Sequence, residues 1–584
     1  MTTERRAGHC LKPRHVLLVF ALLAPLTGLA SLSGPYVLPG DRDILWNGKV
    51  GVQGGIPHRT SRIDCTRAPY FAHADGLDTS AAIQACIDGI AAEQVAYLPA
   101  GTYYCYSAIQ LRAHKTLRGQ GMDRTILSFS NPSLADDVVI SGGYTSYPKA
   151  PIDILSGFSK GSTQLLLANA SSLAAGDFVY LTELNDPSIP VDNRDEEGNP
   201  QTYVGIYGAA GTRARLQICR ITGKSGNTIT IDPPMYFTFS RSNAPRANKA
   251  PAYVQYSGME DLTVVNAGTS QIGYRRNIYL QGAANCWIKN VKVQNLGKRG
   301  VALDFDNFRN EIRECRFSGA LNHADSDQAY GVEINAGSAN LVENNIFDRV
   351  NASAVILVAA SGNVIGYNYS FGCHRTLNMT SWMWNDNWTH GAHSSYNLWE
   401  GNEMQGLCFD IIHGSASHNT AFRNRIIARD LSVAYGATVQ IVSAISTAKN
   451  NNYMTYVGNV LGTAGWNNAY ELRKPGGSWT AKPIYATGSF GGSDAQFATM
   501  LRHLNYDYYT RTVKRCDDPG EPGCQGGSTE NTLPASLYLS SKPSWWGDLP
   551  WPAIGPDVTP RDGMIPAKLR YLPSPPKSLR IVDR

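Results

Sequence analysis

Charge is scarce in this chain. Asp, Glu, Lys and Arg make up 17% of its 584 residues, and the net charge is only +5. A helical protein of this size would be rich in Ala, Glu, Lys and Leu, so the scarcity, together with 56 glycines, points to a turn-rich β protein. No basic run marks a nucleic-acid surface, and the small positive balance admits an acidic ligand without requiring one. No CxxC pair suggests a zinc site. Beyond the N-terminus no run is apolar enough to span a bilayer.

What is present begins with an export signature. Arg5, Arg6, Lys12, Arg14 and His15 precede an apolar stretch, Val16 to Leu29, and small residues follow at Ala30, Ser31 and Ser33. That order predicts a signal peptide over residues 1–34 and a secreted or periplasmic protein, with an uncleaved anchor as the alternative. No stable membrane association is expected after cleavage. Ten of the eleven cysteines lie beyond this segment, which permits disulfides. Cys516 with Cys524 is the first candidate pair and Cys86 with Cys105 the second. Cys286 and Cys315 read as buried thiols.

A repeat runs through residues 285–426. Asn, four residues, then Asn or Cys recurs as Asn285/Asn290, Asn310/Cys315, Asn340/Asn345, Asn363/Asn368, Asn397/Asn402 and Asn419/Asn424. The first members are spaced by 25, 30, 23, 34 and 22 residues, and Asp261 and Asn459 fit weaker terminal copies. A period in the low twenties with insertions is a solenoid signature, and stacked amides can tie coil to coil.

Upstream, Asp75-Gly76-Leu77-Asp78-Thr79-Ser80-Ala81-Ala82-Ile83-Gln84 reads as a capped short helix. Val95-Ala96-Tyr97-Leu98-Pro99-Ala100-Gly101-Thr102-Tyr103 reads as strand, turn, strand. With Leu117-Arg118-Gly119-Gln120-Gly121, this stretch resembles the N-terminal segment of the pectate-lyase-like and rhamnogalacturonase-like superfamily. The resemblance implies a right-handed parallel β-helix whose open end a short helix caps. It leaves the reaction open among lyases, hydrolases, epimerases and tailspikes.

The expected organisation is an all-β solenoid: cap and first coils at 35–155, a small β insertion at 156–250, the β-helix core at 251–465, and final coils with a Pro/Trp-rich tail at 466–584. The repeat is expected to fade from about 465, with the tail packed on the last coils.

Counting back from each first asparagine aligns Glu333, Ile356, His390 and Ile412, and separately Gly331, Ala354, Trp388 and Asp410. Two coils therefore carry His390, His393, His413, Asp386 and Asp410 beside Trp384 and Trp388, with Glu400 and Arg423 just beyond. Clustered titratable groups with aromatics fit a sugar cleft. A hydrolase would use Asp410 with Asp386, Glu400 or Glu333 as paired carboxylates, and the histidines would orient or activate. A lyase would use His390, His393 or His413 as base and Arg423 or Arg425 to neutralise a uronate. Hydrolysis is the preferred expectation. β-Elimination is the first alternative, and a non-catalytic carbohydrate-binding solenoid the second. The chain lacks the Asn-Thr-Asp, Asp-Asp and Gly-His-Gly set of rhamnogalacturonase-like hydrolases.

The catalytic set is thus Asp410, His413, Asp386, His390, His393 and Glu400. Arg423, Trp388, Trp384 and Glu333 are the substrate-binding set. A metal held by His390, His393, His413 and Asp386 is disfavoured, because residues three apart on a strand face opposite ways. No cofactor is expected. For calcium the nearest cluster, Asp304, Asp306, Asp325 and Asp327, reads as loop carboxylates. The expected partner of the monomer is a polysaccharide.

Overall fold

A computed structural model describes residues 37–142, 151–185, 213–268, 275–323, 328–375, 385–429, 431, 443–473, 481–489, 494–527 and 529–572. They form a parallel β-helix. An eleven-stranded lateral sheet runs from Ile109–Gln110 to Ala469–Arg473, with every pairing parallel. A second sheet of 22 short strands makes two side-by-side ladders, parallel except where Asn505–Asp507 meets Val513–Lys514. A narrow third ladder continues as single bridges through Ser338, Ser361, Ser395 and Ser417. The helix Ser80–Gly89 closes one end, burying Ile83, Cys86 and Ile87.

The asparagines bind these coils together. In the first stack each Nδ2 donates to the next Oδ1, from Asn310 through Asn340, Asn363 and Asn397 to Asn419. The second runs from Asn345 through Asn368, Asn402, Asn424 and Asn459 to Asn505. Each Oδ1 also accepts a backbone N–H from the preceding coil, as Asn402 does from Asn368 at 2.9 Å. The left-handed turn falls on the residue before: Ala339, Tyr396 and His418 in one stack, Asn344, Tyr367 and Arg423 in the other. The first copy of the repeat is therefore one residue out of step. Asn285, Asn290 and Asp261 hold left-handed positions, and Cys286 takes the ladder place, its N–H donating to Asn310.

Past 465, Pro483–Ser489, Leu501–His503 and Asn505–Asp507 extend the sheets, and Asn505 extends the ladder. Two further expectations need correction. Cys86 pairs with Cys65, while Cys105 is a buried free thiol; Cys516 does pair with Cys524. The tail does not stop at the last coils. It runs back over the second sheet, where Tyr538 donates to Glu343 and Arg570 reaches the Glu314 carbonyl.

Two more layers flank the coils. Strands between Ile152 and Lys249 close a six-stranded barrel. It sits on the serine bridges: Ile218 N–H donates to Ser338 Oγ and Ser361 Oγ to the Leu216 carbonyl. Residues 37–59 form a strap along the coils, with Trp46 Nε1 on the Tyr396 carbonyl, Gly51 N on Ala339 and Arg59 on Thr116.

The ladder predicts a cost. Asn402→Ala would strand the Ile365 carbonyl and the Asn368 N–H inside the core. The expected loss is about 2–4 kcal/mol in equilibrium unfolding. A loss below about 1 kcal/mol would mean the amides merely fill space.

Candidate functional site

The lateral sheet turns alternate residues outward. Val332, Ile334, Ala354, Ile356, Leu407 and Phe409 enter the core, while Tyr330, Val355, Trp388 and Cys408 form a separate cluster on the other face. Strand pairing aligns Glu333 with Val355 and Val355 with Trp388, then Trp388 with Cys408. Glu333, Val355 and Trp388 stand seven, eight and nine residues before Asn340, Asn363 and Asn397. The turn between strand and ladder thus lengthens by one residue per coil. Counting back from the asparagines slips accordingly, so Glu333 and His390 do not share a column.

His390 instead follows Leu357 in register. Its Nδ1 lies 2.7 Å from Asp410 Oδ2, and its ring stacks on Trp388 at 4.9 Å between centroids and 18°. His413 meets His390 edge-on at 4.6 Å. Asp410 is buried, and its other oxygen accepts the Ile412 N–H at 3.1 Å. Both carboxylate oxygens are thus engaged in hydrogen bonds. His390 and His413 are partly exposed, so this ring pair opens toward solvent.

Charge continues along the same face. Arg299 pairs with Glu333 at 2.5 Å, while Glu333 Oε2 is buried with no hydrogen-bond partner among the described residues. Burial pushes the Glu333 carboxyl upward, against the opposing pull of Arg299. Arg375 donates to the Tyr330 hydroxyl at 3.3 Å and lies 5.7 Å from the Trp388 ring centroid. Sequence reasoning missed Tyr330, Arg299 and Arg375. For Arg299 and Tyr330 the signal is register alone, since they pair with Ala352 in successive strands. Further along, Arg276 joins Asp136 and Asp304, and Asn335 Nδ2 donates to Asp304 at 2.9 Å.

The other expected residues lie elsewhere. Asp386 is wholly buried, accepting the Gln405 and Gly406 N–H groups at 3.2 and 2.8 Å, and burial lifts its carboxyl to about 6. It fixes a turn. Glu400 faces the tail on the second sheet, where it accepts the Tyr367 hydroxyl and the Leu537 N–H, both at 2.9 Å. Burial raises it to about 7. Arg423 grips Asp557 through two contacts of 2.7 Å and the Ile554 carbonyl, so it clamps the tail. His393 occupies a left-handed corner, buried near Arg215 of the barrel. Among the described residues no group of three His, Cys, Asp or Glu is placed to hold a metal ion. Trp384, Asp325 and Asp327 lie outside the described residues.

His393 makes stability pH-dependent. Burial, aided by Arg215, lowers it from 6.5 to about 3. Above pH 6.5 it is neutral in both folded and unfolded chains. As pH falls toward 3 the unfolded chain takes up a proton that the folded one refuses, so stability is lost through that window. Asn tolerates the left-handed corner. His393→Asn should therefore flatten the acid limb of a stability–pH curve by up to about 1.4 kcal/mol per pH unit. An unchanged slope would mean the imidazole titrates normally in the fold.

No family model matches the chain, and no curated protein matches it. Solved structures do. The tailspike gp61 of Pseudomonas phage phi297 is 14% identical, with 77% of this chain and 70% of that one covered, at a TM-score of 0.51. The tailspike gp49 of Pseudomonas phage LKA1 is also 14% identical, covering 67% of this chain, at a TM-score of 0.45; the match spans only 58% of that tailspike. An alginate lyase from a Paenibacillus species is 10% identical over 70% of this chain and 97% of that one, at a TM-score of 0.35. At such identities the likeness concerns architecture, and with the sheet topology it places the chain among the right-handed parallel β-helix proteins.

Proposed function

We propose that this protein is an exported enzyme acting on a uronate-containing polysaccharide by β-elimination, with His390 as base. The observation that carries this reading is the 2.7 Å bond between His390 Nδ1 and Asp410. A carboxylate on Nδ1 fixes the tautomer and leaves Nε2 to accept a proton, the arrangement general-base catalysis needs. His390 would take the proton beside the uronate carboxylate. The electron pair left behind forms the carbon–carbon double bond and expels the glycosidic oxygen, which takes its proton from Tyr330 or His413. Arg375, beside Trp388 and Tyr330, supplies positive charge near the uronate.

Paired-carboxylate hydrolysis finds less support. Asp386 and Glu400 face other partners. Glu333 and Asp410 sit on strands three coil spacings apart, about 14 Å along the stack, beyond the usual separation of such pairs. One observation does favour a hydrolytic variant. The unpartnered Oε2 of Glu333, on a carboxyl whose pKa burial raises, suits a general acid.

Assaying the mature chain on uronate and neutral polysaccharides for reducing ends and near-ultraviolet absorbance separates the readings. Elimination predicts both signals rising together. His390→Ala should then lower kcat by about 10²–10⁴ and Asp410→Asn by a smaller factor, while Glu333→Gln retains unsaturated product. Reducing ends without absorbance, abolished by Glu333→Gln, would establish hydrolysis instead. Full activity in His390→Ala would sink the base assignment.

A further inference from the structure

A separate cavity lies on the tail-covered side, away from the lateral sheet. There the tail and three coil corners enclose a cavity of about 690 Å³. Asn290, Glu314 and Asn344 hold the same left-handed corner in successive coils, with φ of 52°, 58° and 55°. Coils repeat about every 4.8 Å, so the three form a polar row. Opposite stand Trp545 and Asp548 of the tail. Trp545 is half-buried, braced by Tyr367 at 5.9 Å and Trp546 at 5.5 Å between ring centroids. Asn344 is 2% exposed, and its side-chain oxygen has no hydrogen-bond partner among the described residues.

We infer that this cavity binds a neutral oligosaccharide segment, separately from the site around His390. A braced indole offers an apolar face for a sugar ring, and planar amides and carboxylates offer acceptors and donors for its hydroxyls. Glu314 and Asp548 put negative charge on the lining, which disfavours a uronate. Arg570, held by the Glu314 and Asn344 carbonyls, leaves the lining with two carboxylates against one guanidinium.

Calorimetric titration of the full mature chain carrying His390→Ala, with neutral gluco-, manno- and xylo-oligosaccharides and an oligogalacturonate, tests this without relying on catalysis. One neutral oligosaccharide should bind. Trp545→Ala should weaken it about tenfold, and Glu314→Gln several-fold with the tail untouched. Activity of Trp545→Ala in an otherwise unaltered chain on a short soluble substrate should not change. Three results would overturn the inference: no neutral sugar bound, affinity unaltered in both variants, or binding that appears only after removal of residues 573–584, which would make the C-terminus the occupant.

Discussion

Everything in this molecule hangs on a side-chain amide bonding to its own copy one coil away. An asparagine offers two donors and an acceptor with two lone pairs, and the ladder uses them on the coil before, the coil after and the neighbouring carbonyl. Inside a dry core each unmet group would cost more than the bond returns, so the stack admits one register only. Coil spacing is thereby fixed at two adjacent corners. The rest of each coil is free to vary in length, provided it returns to the next asparagine.

That freedom is where chemistry enters. The turn after the lateral strand grows by one residue per coil from Glu333 to Val355 to Trp388, and an outward column drifts against the ladder as it climbs. The drift brings His390 beside Leu357 and lets Asp410 reach it from the following coil. The same loosened corner receives the barrel through Ser338 and Ser361. A rigid seam and a variable corner in one coil give a scaffold on which a site can change while the stack does not.

The ladder and the capping helix were legible because each is written in a local, repeating code. The misplaced first copy shows the limit of that code: Asn285 and Asn290 imitate the ladder residue while serving as left-handed turn residues, and both roles select asparagine. The concentration of His390, His413, Asp410 and Trp388 was equally legible. What separated them from Asp386, Glu400, Arg423 and His393 was not. Those four are buried by groups distant in sequence: Leu537 and Asp557 of the tail, Arg215 of the barrel, and the turn at Gln405. Spacing along a coil tells which residues share a coil. It does not tell which face a remote segment will cover.

Coverage also separates the two faces by how their charges are engaged. The second sheet buries Glu343, Glu400 and Arg423 beneath the tail, and each of these charges is engaged there by Tyr538, Leu537 or Asp557. Charges so spent stabilise docking, and removing one partner would leave another unpaired in a dry interface. On the lateral face the balance differs. Arg276 and Arg299 are answered by carboxylates, yet Glu333 keeps one oxygen unmet and the His390–His413 rings stay partly open. The unmet Glu333 oxygen and the partly open rings leave an electrostatic demand on the lateral face that a ligand can meet.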